Sequence, residues 1–325
     1  MARPQVWLDM TLPPYALESL QAVADPCGPG TAPSQADPFI GIEDADAALI
    51  SSVLRWDDAA LSRARRLRLL TRVGIGVDNV DVAAATAHGI PVANTPDGPT
   101  ESTAEHTWAL ILALSKRIYR ADRLAQRSGW TRSPELMGME LAGKTLGIVG
   151  LGRIGSRVAQ IAHAFGLRVL AYDPAMPWER ARMVGAILAK NLEAVLRQSD
   201  IVTLHAPVQA DTVGMIGEAQ FAQMKRGVYF VNCARGALVD ESALLAALRS
   251  GQVAAAALDV LAQEPPPAGH PLFGLANVII TPHIGSFTEE GVRKMLTNAI
   301  EQTLRGLRGE RPTNLINPET WPRAV

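Results

Sequence analysis

Cysteine and net charge are both scarce in this sequence, and each shortage excludes something. Two cysteines in 325 residues, Cys27 and Cys233, stand far apart with no metal-ligand spacing. That pattern argues against a disulfide framework or a structural metal and fits a reducing compartment. Aspartate and glutamate number 32 against 31 lysines and arginines, a formal net charge of −1. No global basic field therefore exists to hold nucleic acid or an anionic membrane. The one basic run, Arg63, Arg65, Arg66 and Arg68, falls where a helix gives way to a strand and reads as a solvated helix end. No apolar stretch approaches the roughly eighteen residues that span a bilayer. The opening MARPQVWLDM lacks a signal-peptide pattern, so the cytoplasm is the expected location. Internal repeats and low-complexity tracts are absent too. What is plentiful is hydrophobic residue, 48% against 19% charged, enough in a chain of this length for two separate cores.

The stretch around which the rest is organised is residues 144–173. An apolar run over 144–149 is followed by Gly150, Gly152 and Gly155 in G-x-G-x-x-G spacing, then by a helical period at Val158, Ile161, Ala162 and Phe165. This order predicts a strand, a tight turn and a helix. Gly150 permits the turn, Gly152 lets a pyrophosphate approach the backbone, and Gly155 lets the helix pack closely on the strand. The start of the helix offers unpaired N–H groups and the positive end of its dipole to a phosphate. A second strand over 167–172 ends in Asp173, about twenty residues beyond the glycines, where a carboxylate accepts from a ribose 2′-hydroxyl and repels a 2′-phosphate. The expected cofactor is NAD rather than NADP.

Strands at 5–8, 47–51 and 67–73 alternate with helices at 14–23 and 57–65, a small parallel α/β unit. Residues 25–37, rich in Pro, Gly and Ala, read as a surface loop. Gly74 and Gly76, just past a strand, form either a plain turn or a cradle of N–H groups for a carboxylate. After the break at 94–99, Ser102 with Glu105 three residues later reads as a capping box opening one long helix over 100–125, the domain crossing. His106 and Trp108 on that helix read as packing residues. Residues 128–138 read as a loop. Beyond Asp173, strands at 200–205, 229–232, 254–258 and 277–281 alternate with helices, and a final helix over 288–307 leads back toward the first unit. Each of these strands is followed by a polar residue: His205 ahead of Pro207, then Arg235, Asp259 and His283. In an open parallel sheet, ligands bind outside the carboxyl ends of the strands, so these four converge on one crevice.

Reduction of a 2-keto acid needs a cation for the carboxylate, a proton donor for the carbonyl oxygen and a dry cleft. Arg235, before Gly236 at a strand exit, has a planar fork that can grip a carboxylate and polarise the keto group. His283, between Pro282 and Gly285, carries the group that titrates near neutral pH. Glu264, ahead of three prolines, can pair with the imidazole and favour its protonated form. His205 reads as part of a cofactor-lining turn, whereas His88, His163 and His270 read as helix-end or surface residues.

Four motifs, Gly150-Leu151-Gly152-Arg153-Ile154-Gly155, Asn232-Cys233-Ala234-Arg235-Gly236, Asp259-Val260 with Glu264-Pro265, and Thr281-Pro282-His283-Ile284-Gly285, stand in order between residues 150 and 285. Together they resemble the D-isomer-specific 2-hydroxyacid dehydrogenase family. The resemblance implies a doubly wound parallel sheet (Rossmann) nucleotide-binding α/β domain, 100–289, inserted in a smaller flavodoxin-like α/β domain, 1–99 plus 290–325. It implies that Arg235 binds substrate, His283 is the acid/base and Glu264 orients it, with the backbone of Ile75 and Gly76 on the substrate carboxylate. It also implies that Arg153, Ile154, Asp173, Cys233, Ala234, Arg235, Asp259, His283 and Gly285 touch NAD, no metal takes part, and the crossing helix helps form a homodimer. Formate dehydrogenases of this family carry glutamine where Glu264 stands, which argues against formate oxidation. The tract from Thr95 to Glu105 resembles glyoxylate, hydroxypyruvate and 2-ketogluconate reductases, which usually carry a larger apolar residue at the place of Gly98. The expected activity is NADH-dependent reduction of a short 2-keto acid to the D-2-hydroxy acid. The alternatives are short-form 3-phosphoglycerate oxidation and an NAD(H)-sensing binding protein, the latter disfavoured because long terminal tails are lacking.

Overall fold

The computed structural model describes residues 2–31, 37–128, 130 and 132–321. Strands β1 (Gln5–Leu8), β2 (Asp25–Cys27), β3 (Ala47–Ile50), β4 (Leu70–Arg72) and β5 (Val92–Ala93) make a five-stranded parallel sheet in the order β2-β1-β3-β4-β5. Seven more, β6 (Thr145–Val149), β7 (Arg168–Tyr172), β8 (Ile187–Leu188), β9 (Ile201–Leu204), β10 (Val228–Asn232), β11 (Val253–Leu258) and β12 (Val278–Ile280), make a second parallel sheet. Its order is β12-β11-β10-β9-β6-β7-β8. The first order is flavodoxin-like and the second is that of a doubly wound Rossmann sheet. The chain divides into two compact units, Met1–Pro99 with Thr288–Val325, and Thr100–Phe287.

Side chains along a strand alternate between faces, and in the second unit both faces are buried. In β10, Tyr229 and Val231 join the core that holds Leu146, Ile148, Val158 and Trp108. Val228 and Phe230 join the opposite core with Leu196, Phe221 and Leu244. Helices thus sandwich the sheet, and the strand ends are left to carry chemistry. In the first unit, Trp7, Phe39 and Trp56 form an aromatic cluster, with Trp56 edge-on to Trp7 at 5.3 Å. The C-terminal helix Glu289–Leu307, capped by Thr288 accepting from Gly291 N at 2.9 Å, packs Leu296, Ala299 and Ile300 with Leu8 and Leu49 of this unit.

Three local expectations are corrected. Residues 25–37 are not all loop: Asp25–Cys27 pairs with β1 as an edge strand, although Asp-Pro-Cys has no strand pattern of its own. Residues 32–36 lie outside the described part of the chain. The crossing helix is two helices, Thr100–Ser115 and Ile118–Ser128, divided at Arg117, whose φ of 51° lies in the left-handed region that ends a helix. Ser102 lies inside the first of them and is buried, so it is not the cap of a capping box. The basic run begins where the helix Asp58–Arg63 ends, and two of its arginines are ion-paired, Arg63 with Asp37 and Glu43 and Arg66 with Asp46. Among the described residues no helix is long and apolar enough to cross a membrane. No group of three or more His, Cys, Asp or Glu there could hold a metal ion.

Candidate active site

The second unit brings the glycine-rich turn and the polar strand exits to the carboxyl edge of one sheet. Gly150, at φ 90°, makes the turn out of β6 and donates its N–H to Tyr172 O at 2.9 Å. A Cβ there would stand 2.5 Å from Ala206 N, so the turns after β6 and β9 touch where only glycine fits. Gly152 caps the helix Arg153–Ala164 and is open: a Cβ on it would meet nothing within 4 Å. Gly152 and Arg153 are exposed and Ile154 half-buried, leaving the first turn of that helix available to an anion, as a dinucleotide pyrophosphate requires. The residues present therefore fit NAD. Asp173 has a task within the fold that the sequence did not reveal: its carboxylate accepts from Leu151 N at 2.8 Å and Ala175 N at 2.9 Å, fastening the glycine turn to the end of β7.

At the exit of β9, His205 Nε2 lies 3.0 Å from Thr203 Oγ1, and Nδ1 is buried with no protein partner. Burial pushes this imidazole down to about 3, so it is neutral and is no acid/base at physiological pH. Pro207 is exposed beside it. At the exit of β10, the Asn232 amide donates to Arg235 O at 2.9 Å and accepts from Ala234 N at 3.0 Å, clamping the turn that carries Arg235, whose Nη1 donates to Ala234 O at 2.6 Å. Burial pushes the Cys233 thiol up to about 12, which rules it out as a nucleophile.

Glu264 and His283 meet in the segments that follow β11 and β12. His283 Nδ1 is 2.7 Å from Glu264 Oε2, and Glu264 Oε1 accepts from Leu261 N at 2.9 Å. The Glu264–Pro265 peptide is cis. With Nδ1 engaged, Nε2 is the His283 nitrogen left to exchange a proton with a ligand. Burial alone would raise the Glu264 carboxyl, but the hydrogen bond and charge of His283, the Leu261 N–H and the Arg235 charge together hold it below the usual carboxylate range. Asp259, 2% exposed, is occupied by protein: its oxygens accept from Ile284 N, Gly285 N and Thr281 Oγ1 at 2.9, 2.8 and 2.6 Å. A cavity of about 590 Å³ opens beside this group, lined by Glu264, His283, Thr281, Leu272, Phe273 and Arg123.

Ile75 and Gly76 belong to the other unit, in the loop after β4. There Asn94 Nδ2 donates to Ile75 O at 2.7 Å, and Thr95 Oγ1 accepts from Gly74 N at 2.7 Å, so the loop is held from β5 onward. His270, expected at the surface, is largely buried and pairs with Glu241 at 3.1 Å. His106, expected only to pack, reaches Thr281 and Asp259 at 3.1 and 3.3 Å.

The lowered Glu264 carboxyl fixes the sign of a pH effect. A depressed value means the ionised pairing with His283 is complete above the ordinary carboxylate range and is lost only as pH falls through the lowered value. Glu264→Gln removes that titration. It is expected to lower turnover at neutral pH by at least about tenfold, because a carboxylate that orients a reacting imidazole acts through its charge as well as its position. Steady-state pH profiles of both proteins check this. A variant matching the wild type would mean that Glu264 only shapes its loop.

Residues 108–285 match the NAD binding domain of the D-isomer specific 2-hydroxyacid dehydrogenases. A D-3-phosphoglycerate dehydrogenase of Archaeoglobus fulgidus is 44% identical over 277 residues, 84% of this chain and 52% of its own. A glyoxylate reductase of Aeropyrum pernix is 42% identical over 330 residues, 98% of this chain and 97% of its own. The crystal structure of D-lactate dehydrogenase from Aquifex aeolicus, complexed with NAD and lactic acid, matches with a TM-score of 0.86 at 29% identity, covering 96% of this chain and 98% of that one. The chain thus spans about half the length of the phosphoglycerate dehydrogenases it matches and nearly all of the reductase.

Proposed function

The chain belongs to the D-isomer specific 2-hydroxyacid dehydrogenase family, whose NAD-binding domain it carries, and we propose that it reduces a short 2-keto acid of the glyoxylate or hydroxypyruvate type to the D-2-hydroxy acid. The observation that carries this reading is the Glu264–His283 pair, 2.7 Å apart, at strand exits of the sheet that also bears the glycine turn and Arg235. Arg235 grips the substrate carboxylate and draws electron density from the keto carbonyl. His283 gives the Nε2 proton to the carbonyl oxygen as it becomes a hydroxyl, and recovers one from solvent. Glu264 holds Nδ1 and favours the charged imidazole until the proton leaves. NADH, when bound, supplies the hydride. The backbone of Ile75 and Gly76 is the proposed second hold on the substrate carboxylate. His205, Pro207, Cys233, Ala234, Asp259 and Gly285 are proposed to line the nicotinamide end, and Asp173 to take the ribose.

Oxidation of 3-phosphoglycerate is the second reading, favoured by the identity to phosphoglycerate dehydrogenases. One experiment separates the two. Loss of NADH absorbance is followed with glyoxylate, hydroxypyruvate, phosphohydroxypyruvate and 2-ketogluconate, with NADPH in parallel. The unphosphorylated acids are expected to give the higher kcat/KM, and NADH to be preferred. A clear preference for phosphohydroxypyruvate would transfer the assignment to the second reading, and tight NADH binding without turnover would make the protein a sensor. A homodimer is also proposed, on the family resemblance alone; a monomer mass in light scattering would refute that.

A further inference from the structure

We propose that His106 is a positioning residue for His283, holding through Thr281 and the Asp259 carboxylate the turn on which the acid/base imidazole stands. The inference rests on the catalytic reading of His283 given above. Three successive N–H groups of that turn end on one residue: His283 N on Asp259 O at 2.8 Å, Ile284 N on Oδ1 at 2.9 Å and Gly285 N on Oδ2 at 2.8 Å. His283 has a φ of 53°, a left-handed conformation that a residue with a Cβ seldom adopts. Successive N–H groups around such a residue converge into an anion-binding concavity, and here the anion is the Asp259 carboxylate. The strained turn is therefore held by that carboxylate, and whatever fixes the carboxylate fixes the position of His283.

Thr281 Oγ1 donates its single proton to Asp259 Oδ1 at 2.6 Å, so toward His106 it can only accept. His106 Nε2, 3.1 Å from that hydroxyl and 3.3 Å from Oδ1, must then carry the proton of its ring. The result is a directed chain from His106 through Thr281 to Asp259, with the imidazole N–H in reach of both acceptors. Burial would raise the Asp259 carboxyl, yet its donors, His106 foremost and then Thr281, Ile284 and Gly285, hold it below the usual range and keep it ionised. The turn also rests on the face of the helix Thr100–Ser115 that carries His106: a Cβ on Gly285 would come within 3.5 Å of Thr103 Cγ2 and 3.6 Å of His106 Cδ2.

A histidine that only fills space tolerates any polar replacement that folds, whereas a positioning histidine needs a donor at the reach of Nε2. His106→Gln places an amide N–H close to that point; His106→Asn is equally polar but one bond too short. With the best keto acid of the panel, H106Q is expected to keep kcat within about threefold of wild type and H106N to lose about tenfold or more, both with KM little changed. His106→Ala, which favours the helix, is expected to follow H106N and replaces it if H106N does not fold. Equal kcat in the Gln and Asn variants, whether both normal or both reduced, would overturn the proposal. His283→Asn is run as the control. If it keeps wild-type turnover, the acid/base reading fails and this inference falls with it; if it is inactive while H106Q and H106N agree, only the role of His106 is refuted.

Discussion

His283→Asn is expected to reduce kcat for keto-acid reduction by roughly a hundredfold or more, the scale on which a general acid acts, while KM moves much less. Asparagine is polar and can still donate to the Glu264 carboxylate, so the variant removes the titrating nitrogen with small disturbance of the loop. The geometry makes the expectation sharp. Glu264 Oε2 engages Nδ1 at 2.7 Å, which leaves Nε2 as the nitrogen proposed to serve the substrate, and the other described histidine at a strand exit, His205, is half-buried and held neutral by desolvation. His106, near the same edge, has its Nε2 engaged with Thr281 and Asp259, so neither imidazole stands ready to take over the proton. Comparison of kcat and KM in steady state, with NADH binding measured by fluorescence, checks it. Turnover within a few-fold of wild type would remove His283 from the chemistry.

Arg235→Gln is expected to lower kcat/KM by on the order of 10²–10³, the cost of removing one preorganised donor to developing negative charge. The loss should divide between the two constants. On the proposed role the guanidinium holds the substrate carboxylate before reaction, so KM rises, and stabilises the carbonyl oxygen as charge builds there, so kcat falls. Arg235→Lys keeps the charge and gives up the planar fork, and it is expected to fall between wild type and the glutamine variant. Because Arg235 is among the charges that hold the Glu264 carboxyl down, Arg235→Gln also weakens the hold on that group. A kcat/KM for Arg235→Gln equal to that of wild type would place the substrate carboxylate elsewhere, with the backbone of Ile75 and Gly76 as the remaining anchor.

Much of this site is legible in the sequence because its marks are local. The glycine spacing at 150, 152 and 155 states a turn, and the turn is there, with Gly150 at φ 90° and the helix starting at Arg153. A strand followed at once by Arg235 or His283 needs no distant partner to be recognised, since a parallel sheet delivers every strand exit to the same edge. The task of Asp173 within the fold carried no such mark. Its spacing from the glycines announces a ribose acceptor, but its hold on Leu151 N depends on two strand ends lying side by side.

Amino-acid order by itself determined the alternation of strands and helices, the glycine turn suited to a dinucleotide and the choice of Arg235, Glu264 and His283 as the proposed catalytic residues, because periodicity, turn chemistry and strand exits are settled within a few residues of chain. Tertiary structure alone decided the edge strand at Asp25–Cys27, which exists by pairing with β1; the break at Arg117, where no glycine or proline signals one; and the employment of His106, whose hydroxyl partner lies 175 residues away. The physical reason is shared by all three: a hydrogen bond between segments distant in sequence leaves no periodic trace in either, and it becomes visible only when the fold has placed donor beside acceptor.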